Sequence, residues 1–221
     1  MNVIVLTKSY NEMPFCEKEI LRYAMCREGN ERERELLSSC IEEAKHNFSH
    51  KVCYCILPIT VTEDMCDFGA FSLNSKSLAK NLEGSDKAVV FSATAGINID
   101  RLIAKYSKIM PSRSVMLHAI GTQQIEALCD AFCKDMESET AMQAAIRFSP
   151  GYADLSLDAQ KDILSLLDAP KRIGVCLNDS MLMSPSKSVT AIVGLKKEKE
   201  TEKTDKCNKC NKKDCFFRGV V

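Results

Sequence analysis

The longest regular pattern in the chain is a helical stripe from about Ser112 to Met136, on which Val115, Leu117, Ile120, Ile125, Leu128, Phe132 and Met136 recur at helical spacing. A stripe of that length needs a broad apolar surface to cover it, so any fold must be built around one central packing helix. The rest of the chain supplies short elements for it to pack against. Lys51 to Thr62 and Lys87 to Thr94 are rich in β-branched and aromatic residues and read as strands, the second ending just before Gly96. Met142 to Phe148 is strand-like, and Ile173 to Leu177 and Val189 to Leu195 read as two antiparallel strands joined by a polar, proline-containing loop. Helices are expected from Cys16 to Arg27 behind Pro14, along the Leu36, Leu37, Cys40, Ile41, Ala44 face, from Asp100 to Met110, and from Leu157 to Leu167. The run Glu31 to Glu35 is a solvated charged face. Interleaved strands and helices closing on antiparallel strands predict an α+β fold with a largely antiparallel sheet.

Patterning stops at Leu195. Residues Lys196 to Lys206 form a mixed-charge tract with nothing apolar to bury and read as a solvated linker, after which residues 207–221 form a cysteine-rich tail. The predicted organisation is one domain over 1–195, a linker over 196–206 and that tail.

Thirty basic and thirty acidic residues cancel, which removes the overall field expected of a nucleic-acid or membrane-surface binder; any polyanion contact must be local. No apolar run reaches the roughly 20 residues needed to span a bilayer, and the opening Met1 to Thr7 is too short and too weakly basic for a signal peptide. A cytoplasmic chain is expected. Its twelve cysteines include Cys26, Cys40, Cys53, Cys55, Cys129 and Cys133 in core-like segments, where reduced thiols serve as small apolar packing groups.

Two candidate sites stand out. The segment Arg147-Phe148-Ser149-Pro150-Gly151-Tyr152-Ala153-Asp154 leaves a strand, turns on Pro-Gly, and brings a guanidinium, a residue without a side chain and a phenol together. Arg offers a fork for a carboxylate, Gly lets backbone approach a ligand, and Tyr adds a flat face with a polar tip; a plain structural turn is the alternative. In the tail, Cys207, Cys210 and Cys215 are spaced closely enough for one metal, zinc or an iron-sulfur cluster, although both normally take four ligands and only three are local. Redox or disulfide chemistry, or no function, are the alternatives there. His46, His50 and His118 show no metal-ligand spacing and read as surface or helix residues, while Lys187 and Ser188 read as a turn leading into a strand.

The Arg-x-x-x-Gly-Tyr pattern of Arg147, Gly151 and Tyr152 resembles the S-adenosylmethionine-binding motif of the activation domain of vitamin B12-dependent methionine synthase. The likeness extends to Met183 through Gly194, similar to that family's closing strand, and to Gly121-Thr122-Gln123-Gln124-Ile125-Glu126-Ala127 in the long helix, so that it covers roughly Glu19 to Leu195. The resemblance implies a C-shaped α+β unit that holds S-adenosylmethionine over an inactive cob(II)alamin while a flavodoxin- or ferredoxin-type donor supplies an electron, regenerating methylcobalamin. It further implies that Arg147 pairs with the methionyl carboxylate, that Glu126 sits near the ligand's amino or ribose groups, and that Tyr152 faces the ligand or the corrin.

Two departures are visible. The family's Gly-Tyr-Pro-Ala-Cys-Pro is replaced by Gly151-Tyr152-Ala153-Asp154-Leu155-Ser156, and with no Trp in the chain the early Asp-Trp-Thr-Pro segment has no counterpart, so its acidic ligand contact is unassigned. With no room for folate, homocysteine and corrinoid modules, the chain resembles freestanding versions of the domain, acting in trans on a corrinoid-binding methionine synthase or related corrinoid methyltransferase. No catalytic residue is assigned. The rival expectation is a non-catalytic module that binds a corrinoid protein and delivers electrons or metal through the cysteine tail.

Overall fold

The computed structural model describes residues 3–26 and 29–197, so most of the linker and the tail cysteines Cys207, Cys210 and Cys215 lie outside the described residues. In chain order the first elements are β1 (Leu6–Tyr10), α1 (Glu17–Tyr23), α2 (Glu31–Ala44), β2 (His50–Pro58), β3 (Thr60–Val61), β4 (Met65–Asp67) and β5 (Ser72–Asn74). Next come α3 (Lys76–Leu82), β6 (Lys87–Thr94), α4 (Ile97–Ile109), α5 (Pro111–Thr140) and β7 (Gln143–Ala144). The last are α6 (Ala159–Leu166), α7 (Ala169–Ile173), β8 (Cys176–Leu177), β9 (Met183–Ser184) and β10 (Ser188–Lys196).

The main sheet has the order β1-β2-β6-β10-β7, and every pair in it is antiparallel. Strand β6 lies at its centre and is buried along nearly its whole length, which is why Val89, Val90 and Phe91 form an unbroken apolar run rather than an alternation. The two faces of the sheet pack against different helices. Cys53, Cys55, Leu57, Val90 and Ile192 face a layer that includes α3, α6 and α7, while Val52, Tyr54, Phe91, Ala191 and Val193 face α5 through Ile125, Leu128, Phe132 and Met136. A third cluster joins α1, α2 and α4 to the first half of α5 through Ile20, Leu37, Ile99, Leu117 and Ile120. The fold is α+β, and α5 is the central packing helix that the stripe required.

Several boundaries differ from expectation. The single strand expected over Lys51 to Thr62 is broken after Pro58, and Thr60–Val61 turns away into a separate three-stranded sheet with β4 and β5. Ile173 to Leu177 does not pair with the final strand. Pro170 sits in the first turn of a short helix that runs to Ile173 and is closed by Gly174 at φ 74°, so the Ile173, Val175, Leu177 alternation straddles a helix end. The remaining Cys176–Leu177 pairs with Met183–Ser184, leaving β10 to close the main sheet between β6 and β7. Of the strand expected over Met142 to Phe148, only Gln143–Ala144 is regular, continued by one bridge from Phe148 to Ile192. Among the described residues no helix is long and apolar enough to cross a membrane.

Candidate functional site

Phe148 exchanges two backbone hydrogen bonds with Ile192, each 2.9 Å, and turns its ring into the α3/α6/α7 side of the sheet. Because side chains alternate along extended backbone, the preceding Arg147 points to the other side, toward α5. There Arg147 Nη2 donates to Glu126 Oε2 at 2.8 Å and Nη1 donates to Asp130 Oδ1. Glu126 and Asp130 stand one turn apart on α5, so one guanidinium bridges two carboxylates on a half-exposed helix flank. A cavity of about 310 Å³ opens beside them between α5 and β7, with Cys133, Glu137 and Ala144 in its walls.

After Phe148 the chain folds into a tight turn in which Tyr152 N donates to Ser149 O at 3.1 Å and Gly151 N donates to Leu155 O at 2.9 Å. Gly151 occupies φ 82°, a region that a side chain disfavours, so glycine is required there by backbone geometry before any ligand is considered. Tyr152 is 66% exposed and rests edge-on against Phe148 with ring centroids 5.4 Å apart. The structure thus joins Glu126 to Arg147 and adds Asp130, which the sequence reading had not singled out, while Gly151 and Tyr152 lie in the turn that follows and make no contact with the Arg147 guanidinium. The signal for Asp130 was the i, i+4 spacing from Glu126.

Asp154, a departure from the family pattern, has a structural task. Its carboxylate accepts from Ser75 Oγ at 2.6 Å, Lys76 N at 2.8 Å and Ser77 N at 3.2 Å, clamping the end of the turn onto the start of α3. Hydrogen bonding from Ser75 first, then from Ser77 and Lys76, lowers its pKa to about 2. A carboxylate depressed on folding gives stability that is present above its unfolded pKa of about 3.9 and is lost as pH falls through the folded value. Acidification from pH 4 to pH 2 should therefore release this clamp in wild type. In Asp154→Ala the contribution of this group to that acid transition should be missing, as followed by hydrogen exchange at Lys76 and Ser77; unchanged exchange at those amides in the variant would show that the clamp is not holding them.

The remaining candidates separate. His46 and His118 are exposed, as expected. His50 is not: it opens β2, is 3% exposed, stacks on Phe48 at 5.3 Å, and its ring nitrogens meet no partner at hydrogen-bonding geometry. Burial lowers its pKa, and it lines a cavity of about 280 Å³ together with Gln124 and Phe15. The polar run around His50 concealed this, because its burial comes from packing across the fold. Buried thiols behave as packing groups: burial raises Cys40, Cys53 and Cys66 to about 11 and Cys55 to about 12, far from a reactive thiolate. Among the described residues no three His, Cys, Asp or Glu side chains are arranged to hold a metal. Ser188 opens β10, donating from Oγ to Thr94 Oγ1 at 2.9 Å, and Lys187 Nζ donates to Thr122 Oγ1 at 3.0 Å, which joins the Gly121 to Ala127 segment to the Met183 to Gly194 segment.

A family model described as vitamin B12 dependent methionine synthase, activation domain, matches residues 72–218, a span that includes α5, the Arg147 turn and β10. Among solved structures, the MetH reactivation domain bound to AdoHcy is similar, with a TM-score of 0.64 and 14% identity over 90% of this chain and 81% of that one. At that identity the likeness is one of fold. No curated protein sequence matches the chain.

Proposed function

Because the chain belongs to the family of activation domains of vitamin B12-dependent methionine synthases, we propose that it binds S-adenosylmethionine at the Arg147 to Tyr152 turn and serves the reductive reactivation of a corrinoid methyltransferase. The observation that supports this reading is the pair of carboxylates, Glu126 and Asp130, held by Arg147 at the start of the segment that carries the Gly151 turn and the exposed Tyr152 ring. Two acids fixed at one edge suit a ligand with an ammonium and a sulfonium, and the Tyr152 face suits a cation or a flat ring. When bound, S-adenosylmethionine supplies an electrophilic methyl group to a cobalamin that a low-potential flavodoxin- or ferredoxin-type donor has reduced by one electron, leaving S-adenosylhomocysteine. The protein's own share is positional: Arg147 holds the acids, Gly151 lets the backbone come close, and Tyr152 shields the reacting end from water.

The rival reading, a corrinoid-binding module without a ligand site, drew on the Ala153 and Asp154 departures. Asp154 anchors the turn on α3, which gives that departure a structural task of its own.

Calorimetry with S-adenosylmethionine tests the site, and the absorbance change of a cob(II)alamin-loaded cognate partner with a low-potential reductant tests the activity. Arg147→Ala should weaken binding by about 2 to 4 kcal/mol, the scale of losing a charge-assisted bidentate pair with the ligand's carboxylate, and should slow methylation of the corrinoid. A fold that survives with unchanged affinity would show that the ligand does not use this edge.

A further inference from the structure

The cavity of about 280 Å³ at the start of β2 carries polar groups in its wall that the reading above does not use. His50 pairs in register with Tyr10 on β1, and Tyr10 bonds to Asp135 of α5, so both rings stand on the α5 side of the sheet. The imidazole lies against the Phe48 ring at an interplanar angle of 12°, and the Phe15 ring is 6.1 Å from that of Phe48. Gln124 reaches the same cavity from α5. Its Nε2 donates to Met13 O at 3.4 Å, Pro14 O at 3.3 Å and Gln123 Oε1 at 3.1 Å, while Gln123 Nε2 donates to Pro14 O at 3.1 Å. These oxygens fix which end of the Gln124 amide is which, because only its NH2 end can face them.

Three polar atoms are then left over. Among the described residues His50 Nδ1, His50 Nε2 and Gln124 Oε1 have no hydrogen-bond partner, although His50 is 3% and Gln124 1% exposed. A buried polar group without a partner costs more than a made hydrogen bond returns, so two such side chains in one wall call for a complementary group in the cavity. Burial lowers the His50 pKa and outweighs the opposite pull of Gln124, which leaves a neutral ring with one N–H and one lone pair. The charged residues of the lining, Glu12 and Lys45, are exposed and opposite in sign, and Lys45 Nζ is held 2.6 Å from Glu42 Oε2.

The wall thus offers one donor and two acceptors and no buried charge. A carboxylate brings acceptors only, against the Gln124 oxygen, and an ammonium brings nothing for the imidazole N–H to donate to. Either would also be a charge taken out of water without a counter-ion. A hydroxyl has one donor for two acceptors. A primary carboxamide has an acceptor and two donors, and it is flat enough to lie along the Phe15 and Phe48 rings. This is not the Arg147 edge: Gln124 and Glu126 are about 200° apart around α5, and the two cavities share no lining residue.

We propose that the His50 and Gln124 cavity is a receptor for a primary carboxamide, whose oxygen accepts from the imidazole N–H and whose NH2 donates to Gln124 Oε1. The proposal needs neither the Arg147 turn nor S-adenosylmethionine. Such an amide comes either as a small molecule or as a side arm of a larger one, and a corrinoid carries several amide arms around a macrocycle too large to enter here itself.

The test is nuclear magnetic resonance on the full chain labelled with 15N-histidine, in which only three imidazoles report and His50→Phe identifies the signals of His50. Butyramide should shift the His50 ring nitrogens saturably, with an affinity about tenfold or more above those of butyrate and N,N-dimethylbutyramide. Gln124→Leu should weaken butyramide by a similar factor, and Gln124→Met takes its place should the leucine variant fail to reach the wild-type unfolding midpoint. Saturable shifts with butyramide but not with cyanocobalamin assign the cavity to small amides. Tighter saturation by cyanocobalamin, lost when its amides are replaced by carboxylates as in cobyrinic acid, assigns it to a corrinoid arm. Shifts with neither compound, equal shifts with butyrate, or undiminished butyramide binding in the Gln124 variant overturn the proposal and leave a cavity that holds water only.

Discussion

Replacing Gly151 by valine is expected to abolish detectable S-adenosylmethionine binding. The backbone at this position sits at φ 82°, where a β-branched residue is a steric outlier, so the valine turn must reorganise at a cost of about 1 to 3 kcal/mol. The clash with neighbours is the smaller part: an added Cβ meets Leu157 Cδ1 at 3.2 Å, and that is the flexible end of an exposed side chain. Reorganisation would displace Tyr152 and the Gly151 N–H bond to Leu155 O together, and with them the surface that a ligand must approach. Denaturant unfolding should show a moderate loss of stability while calorimetry shows no heat of binding. Unaltered affinity in the valine variant would mean that the ligand does not pass over this turn.

The largest effect on stability should come from Phe132→Ala. Phe132 is completely buried on α5 and packs against Tyr54 and Phe91, with ring centroids 5.0 and 4.9 Å away, so it joins the central helix to two neighbouring strands of the main sheet. Truncation removes the ring's burial and leaves a cavity that three fixed elements cannot collapse to fill, a loss of about 3 to 5 kcal/mol. Against a total of about 5 to 15 kcal/mol for a typical domain, that shifts the unfolding midpoint strongly. A loss below about 1 kcal/mol would mean that the helix and sheet are not held together at this point.

How much of this the sequence could say depended on how local the cause was. The helix Pro111–Thr140 was readable because its apolar residues repeat over many turns, and Lys87–Thr94 because a dense β-branched run meets a glycine soon after its end. Strand Leu6–Tyr10 was not, since an edge strand with several exposed residues has no apolar alternation to display. Nor were α3, at seven residues, or the strands of two and three residues around it, which are shorter than any periodicity needs. At the site, Arg147, Gly151 and Tyr152 were visible as turn chemistry and Glu126 through resemblance. The Asp154 clamp joins residues separated by 79 positions and the Lys187 contact residues separated by 65, and nothing local in a sequence announces such pairs. Lys187 looked like part of a polar turn for that reason.

The stretch from Arg147 to Asp154 is tied at one end to α5 and at the other to α3, and those two helices pack on opposite faces of the main sheet. It is a strap over the sheet's edge whose slack is set by the distance between two layers. Close-packed interiors transmit small displacements rather than absorbing them, so sliding one layer against the other must tighten or loosen the Gly151 turn. A protein partner that pressed on either helix layer could in this way change the hold on the ligand without touching it, and the ligand, by filling the turn, would resist being sheared.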